Sequence, residues 1–158
     1  MAEDSFDERQ RARARLEPDE DPLSRRSLRV ASPLSPEVER IIYEVIGSAI
    51  AVHRALGPGF LESIYRKAMC VELTKRNLAY KCERPIDVAY DGVSLRGQRI
   101  DLIVGRLIVV ELKAVTRFEE IHRSQVISYL RTMGLRGGLL INFRVRMLKH
   151  GVCRIVLT

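Results

Sequence analysis

The chain has 158 residues, 46% of them hydrophobic and none tryptophan, which supports one domain with an aliphatic core rather than two. A formal charge of +7 favours an anionic partner without saying anything about fold. Three widely spaced cysteines (Cys70, Cys82 and Cys153) form neither a CxxC pair nor a zinc pattern, so a disulfide framework is not expected. No apolar run reaches membrane-spanning length and the N-terminus lacks a signal-like core. The expectation is a soluble cytoplasmic protein with no membrane partner.

Residues 1–34 mix both charges densely, as in DERQRARARLEPDEDP, with few large apolar groups. Such a segment cannot offset the entropy of ordering and reads as a flexible arm, leaving residues 35–158 as the folded domain. Ser35-Pro36-Glu37 then supplies an N-cap, a proline at the first helical position and an acidic first turn. Val38, Ile41, Ile42, Val45, Ile46, Ala49, Val52 and Leu56 recur at three-to-four spacing, which predicts an amphipathic helix. Gly57-Pro58-Gly59 ends it.

A second helix is expected from about residue 60 to Arg76, with Leu61, Ile64, Ala68, Val71 and Leu73 on its apolar side and Asn77 as a terminal cap. Glu62, Tyr65 and Met69 form another stripe, with the carboxylate where the helix dipole favours negative charge. Tyr80 to Tyr90 alternates as a strand, and Asp91-Gly92 is a hairpin turn. The return strand starts near Val93 and bends or breaks around Gly97 before reaching RIDLIV. Gly105-Arg106 makes a second tight turn into LIVVELK, so three strands run as an antiparallel meander. A third helix over Glu119 to Thr132 is assigned Ile121, Val126, Ile127 and Leu130 as core positions. Leu139 to Phe143 is apolar on both parities, as a strand covered on both faces requires, and a last strand spans Gly151 to Leu157. Helices and a sheet in this order make an α/β fold.

Three charged residues stand in the most apolar part of the meander: Asp101, Glu111 and Lys113. Strands disfavour carboxylates and ammoniums, and buried charges are costly unless paired or bound to metal. Glu111 and Lys113 are two apart, so both leave one face of a strand. If the flanking strands pair, Asp101 and Glu111 can share a hard divalent cation such as Mg²⁺, with Mn²⁺ a substitute. Lys113 can then orient or deprotonate an attacking water and offset charge on a phosphate. Glu62 can join as a third metal ligand through water or as an organiser of the metal shell. Gln125, one turn before Tyr129, can hold a carboxylate, Lys113 or water in place. His53, His122 and His150 lack any zinc spacing.

The set Asp101…Glu111-Leu112-Lys113 resembles the D…ExK signature of the PD-(D/E)XK nuclease superfamily. The stretch HRALGPGFLESIY, with Gly59, Glu62 and Tyr65, is similar to a narrower branch called GxxExxY proteins, and Gln125, Tyr129, Leu130 and LLINF also match that branch. The resemblance covers about Ser35 to the C-terminus. It departs from the superfamily pattern before Asp101, where Arg99-Ile100 stands in place of a proline. It implies a restriction-endonuclease-like core in which helices flank a mixed β-sheet. Asp101 and Glu111 map to metal ligands, Lys113 to the catalytic lysine, Glu62 to the acidic residue of the preceding helix and Gln125 to the glutamine after the core strands.

The resulting expectation is a Mg²⁺-dependent phosphodiesterase, an endonuclease or other nuclease acting on DNA or another nucleic acid. The alternative is a nucleic-acid-binding or protein-interaction module that keeps the fold with little turnover. Exposed sheet edges leave a homodimer open.

Overall fold

The computed structural model describes residues 31–158, so nearly all of the expected charged arm lies outside the described residues. Ser35 caps the first helix, α1 (Pro36–Leu56), by accepting from the Val38 amide, and Gly57 ends it in the positive-φ conformation that favours glycine. After a short turn comes α2 (Glu62–Lys75), then a long ribbon of β1 (Tyr80–Tyr90) and β2 (Val93–Val104). Strand β3 (Ile108–Lys113) completes the meander, and α3 (Glu120–Met133) carries the chain over to β4 (Gly137–Asn142), which pairs parallel to β3. A single 3₁₀ turn (Leu148–His150) precedes β5 (Val152–Val156), antiparallel to β4. The five strands lie in sequence order, so one parallel pair in an otherwise antiparallel arrangement makes the sheet mixed.

The alternation of β3 and β4 divides the core. Val110, Leu112, Leu139 and Ile141 face α1 and α2 together with Ile41, Val45, Ala49, Tyr65 and Met69. Val109 and Leu140 have the other parity and pack with Val126, Tyr129 and Leu130 of α3. Gly138 allows α3 to close on β4, since a Cβ there would lie 2.8 Å from Val126 Cγ1. Leu34, just before the first helix, is also buried on the α1/α2 side.

The apolar faces of α2 and α3 differ from the sequence reading. The buried line of α2 is Tyr65, Met69 and Leu73, whereas Leu61, Ile64 and Val71 are exposed. Ile121 of α3 is also exposed. Which apolar residues are covered depends on where each helix meets the sheet and its neighbouring helix, so hydrophobicity alone does not pick out the buried stripe. The return strand does not break near Gly97. Instead, β2 stays continuous through a register shift between Ile86 and Val88, where Arg96-Gly97 stands against the single residue Asp87.

Tyr65 connects the two helices to the sheet. Its ring stacks on Phe143 with centroids 4.4 Å apart, its hydroxyl donates to the Gly57 carbonyl at 2.6 Å, and it accepts from the Phe60 amide at 3.1 Å. The Gly57–Phe60 turn is thereby tied down immediately before Glu62. Tyr65→Phe keeps the stack but strips both backbone groups of their partner. The expected cost is about 1–3 kcal/mol, read as a lower thermal midpoint by circular dichroism, and an unchanged midpoint would show that this turn is held by other contacts.

Candidate active site at the parting of β2 and β3

The β2–β3 ladder has a constant register and its last pair is Leu102 with Val110. One step further the main-chain pairing gives way to a side chain: Asp101 Oδ2 accepts from the Leu112 amide at 2.9 Å. Asp101 therefore occupies the fork between the strands and faces Glu111. On the other side, the β1 partner of Asp101 is skipped. The residue there is Glu83, at φ 49°, and its pair is missing from a register that holds on both sides of it.

Glu111 alternates with Val110 and Leu112 and projects from the sheet with Lys113. Lys113 Nζ donates to Glu111 Oε1 at 2.9 Å, with the two side chains only 13% and 5% exposed. The second oxygen, Glu111 Oε2, is buried with no hydrogen-bond partner. Burial and then the neighbouring Asp101 charge push the Glu111 carboxyl up to about 7, against the pull of Lys113 and of the Asp101 main-chain amide. Lys113 is raised above its ordinary value: burial opposes this, but Glu111, Glu62 and Asp101 outweigh it. This favours the ammonium form of Lys113, which donates to Glu111 Oε1.

The end of this strand is clamped. The Phe143 amide donates to the Lys113 carbonyl at 2.9 Å. Asn142 holds the next turn from both sides, accepting from the Val115 amide at 3.1 Å and donating to the Val115 carbonyl at 2.7 Å. His53 reaches across from α1 and bonds the Val145 carbonyl at 2.8 Å, while His122 accepts from the Glu119 amide in the capping box of α3. These two histidines hold backbone in place.

Glu62 sits in the first turn of α2, and burial followed by the charge on Asp101 raises its pKa. It does not meet the strand carboxylates directly. Arg66, one turn later, stands between them: its Nη1 is 3.1 Å from Asp101 Oδ1 and 3.9 Å from Glu62 Oε1, and Nη2 is 3.4 Å from Glu83. The sequence reading missed Arg66. Its spacing of four residues from Glu62 was visible, but the tie to Asp101 was not, because it joins residues 35 apart. Gln125 belongs to a separate hydrogen-bonded chain, in which its Nε2 donates to Tyr129 Oη at 2.8 Å. The Tyr129 hydroxyl in turn donates to Gln98 Oε1 at 2.9 Å or to the Arg99 carbonyl at 3.1 Å. Tyr129 is close enough for Glu111, Lys113 and Asp101 to act on its pKa, which burial raises first. Gln125 is therefore next to the charged group without touching it.

The structure thus brings Asp101, Glu111 and Lys113 together, bridges Glu62 to Asp101 through Arg66 within reach of the Lys113 charge, and puts Gln125 behind Tyr129. No cluster of three or more His, Cys, Asp or Glu side chains suited to a metal occurs among the described residues. Two carboxylates with one unpartnered oxygen are what the protein offers a hard cation.

A family model for the PD-(D/E)XK nuclease superfamily matches residues 39–155, from α1 to β5. The chain belongs to the PD-(D/E)XK nuclease superfamily. The superfamily match takes in Asp101, Glu111 and Lys113 and the mixed sheet that carries them. No curated protein and no solved structure matches the chain significantly. Among the described residues, no helix is long and apolar enough to cross a membrane.

The raised Glu111 carboxyl has a consequence for stability. Between its ordinary value of 4.5 and about 7 the folded chain holds a proton that the unfolded chain releases, so stability falls as pH rises through that window. Glu111→Gln removes this dependence. The variant is expected to gain on the wild type by about 3 kcal/mol from pH 5 to 8, at roughly 1.4 kcal/mol per pH unit. Urea unfolding at several pH values measures the difference. Parallel curves would mean that Glu111 titrates normally.

Proposed function

We propose that this chain is a divalent-metal-dependent phosphodiesterase that hydrolyses DNA or another nucleic acid at the fork between β2 and β3. The observation that carries this reading is the buried Glu111 Oε2, left without a partner beside Asp101 while Lys113 holds the other oxygen. A buried carboxylate oxygen without a donor costs free energy unless a cation or a donor from outside the chain completes it. The residues fit such an ion. Mg²⁺ is commonly held by one or two carboxylates, with water and substrate oxygens filling its remaining positions, so the lack of a third acidic side chain is no obstacle.

Asp101 and Glu111 would hold the ion, with Mn²⁺ able to replace Mg²⁺. Bound there, it would neutralise charge on the phosphate and acidify water. The protein's own groups account for the rest. Lys113 stays protonated and donates to the phosphate or to the incoming water. Asp101 keeps its orientation through the Leu112 amide and Arg66. Glu62, bridged to Asp101 through Arg66, and Gln125, behind Tyr129, support the shape of the site. In the hydrolysis the water oxygen bonds to phosphorus and gives its proton to surrounding water, while the opposite P–O bond breaks, its electron pair leaving with the departing oxygen, which takes up a proton in turn. Arg144 lines clefts on both sides of Ala114, directly after Lys113, and Arg117 lines one of them. These cations suit a sugar-phosphate backbone without reading bases.

We also infer membership of the GxxExxY branch. Its three named positions have linked roles: Gly59 at φ 123° shapes the turn, Tyr65 ties that turn to the fold, and Glu62 is the acid it presents.

Cleavage of a mixed nucleic-acid panel with Mg²⁺ or Mn²⁺ tests the proposal. Products are expected only with cation and wild-type protein, with losses of about a hundredfold or more for Glu111→Ala and Lys113→Ala. Trace cutting that survives both substitutions would reject it.

One observation favours the second reading, a binding module with little turnover: Arg66 already neutralises Asp101. Removing Arg66 separates the two. In the nuclease reading Arg66→Ala lowers stability in chelator by about 1–3 kcal/mol, because Asp101 loses its partner. Mg²⁺ should then raise the thermal midpoint of the variant more than that of the wild type. Equal shifts would make Arg66 a permanent clamp and favour the module.

A further inference from the structure

The ribbon of β1 and β2 has one polar and one apolar face. Ile86 stands opposite Gln98, Val88 opposite Leu95 and Tyr90 opposite Val93, and directly paired residues share a face. Ile86 is buried against α3, but Val88, Leu95, Val93 and Tyr90 become exposed toward the tip. Between this face and α3 lies a cleft of about 480 Å³, within the range of small-ligand sites. Its walls are Ile86, Val88 and Ile121, and its remaining lining is hydroxyls and amides, among them Ser124, Ser128 and Gln98. No charged residue lines it, on a chain with 30% charged residues.

The cleft and the candidate active site share a wall. Gln125, Tyr129 and Gln98 line the cleft, and Tyr129 also bonds the Arg99 carbonyl, two residues before Asp101. The hydrogen-bonded chain through Tyr129 uses Gln125 Nε2 and Gln98 Oε1, which leaves the Gln125 carbonyl and the Gln98 amino group directed by the network but not consumed in it. Turning both amides over reverses the polarity yet still leaves one donor and one acceptor. A phosphate or a cation finds no countercharge here. A planar ring with apolar faces and a donor–acceptor edge matches the lining.

We propose that this cleft receives an unstacked nucleobase next to the scissile phosphate, so that the substrate is single-stranded or locally unpaired nucleic acid. The inference rests on the nuclease reading for the position of the phosphate, and it names the substrate class of that site. Bases inside a duplex have their faces covered by their neighbours, so only a base out of the stack has apolar surface to bury between Ile86, Val88 and Ile121. Edge-to-edge pairing of a second copy on β1 is disfavoured by Pro85 in mid-strand and by the positive φ of Glu83.

Binding is measured with the full chain in EDTA, where cutting does not interfere, by fluorescence anisotropy. The probes are short oligothymidine, an abasic strand of equal length, and the oligothymidine annealed to its complement. Wild type is expected to prefer the base-bearing single strand over the abasic strand by about tenfold or more. Ser128→Phe and Ser124→Phe, both at exposed helix positions, fill the cleft without entering the core. Each should bring that ratio to near one while abasic binding stays as it was. Equal affinity of wild type for the two strands, tighter binding of the duplex, no binding of any probe, or equal losses for both strands in the variants would overturn the proposal. So would a change of oligomeric state in the variants by sedimentation, which would assign the cleft to a second copy. Base discrimination without metal-dependent cutting would keep the cleft and reject the nuclease, and cutting without base discrimination would do the reverse.

Discussion

Where β2 and β3 part, a side chain substitutes for the main chain. Asp101 Oδ2 takes the Leu112 amide that a strand carbonyl would otherwise accept. A carboxylate in that position cannot be moved without leaving a buried amide unpaired, so the fork and the charge are fixed together. The burial of Glu111, the ammonium of Lys113 and the guanidinium of Arg66 all follow from placing negative charge at the end of an apolar sheet.

The surrounding elements serve this placement. Val110 and Leu112 anchor β3 on the α1/α2 side, and Val109 anchors it on the α3 side, which leaves Glu111 and Lys113 the only polar residues of a strand packed on both faces. Asn142 and the Phe143 amide stop the strand end from fraying. Tyr65 holds the turn before Glu62, and Tyr129 holds α3 against β2. The Tyr65 hydroxyl is spent on backbone groups of the turn while its ring stacks on Phe143, and the Tyr129 hydroxyl links Gln125 of α3 to Gln98 and the Arg99 carbonyl of β2.

The charge around the fork is divided between two sets. Glu111 and Lys113 form one pair with an acceptor to spare; Arg66 gathers Asp101, Glu83 and Glu62 into another. Burial is what makes either set consequential. In water such pairs contribute little, while at 12–17% exposure for Asp101 and Arg66 each partner depends on the other. The same carboxylate, Asp101, belongs to both sets in space, which is why Arg66 bears on any ion held there.

Much of this was written locally in the chain. The period of α1, its Ser35 cap, the Asp91-Gly92 and Gly105-Arg106 turns and the doubly apolar β4 depend on neighbours within a few residues, and the helix and strands follow those signals. The triplet Glu111-Leu112-Lys113 was legible for the same reason, since a two-residue period needs no partner strand. Its relation to Asp101 required only a hairpin. The buried faces of α2 and α3 were not legible, because Leu61 and Ile121 are as apolar as Met69 and only the packing of each helix on its neighbours decides which are covered. Nor were the ties of Arg66 to Asp101 or Tyr129 to Gln98, which cross between elements about 30 residues or more apart. Sequence by itself determined which residue types line up along each element. Tertiary packing alone decided which charge meets which, because Coulomb and hydrogen-bond energies depend on distance and burial, and neither exists until the sheet and helices close on one another.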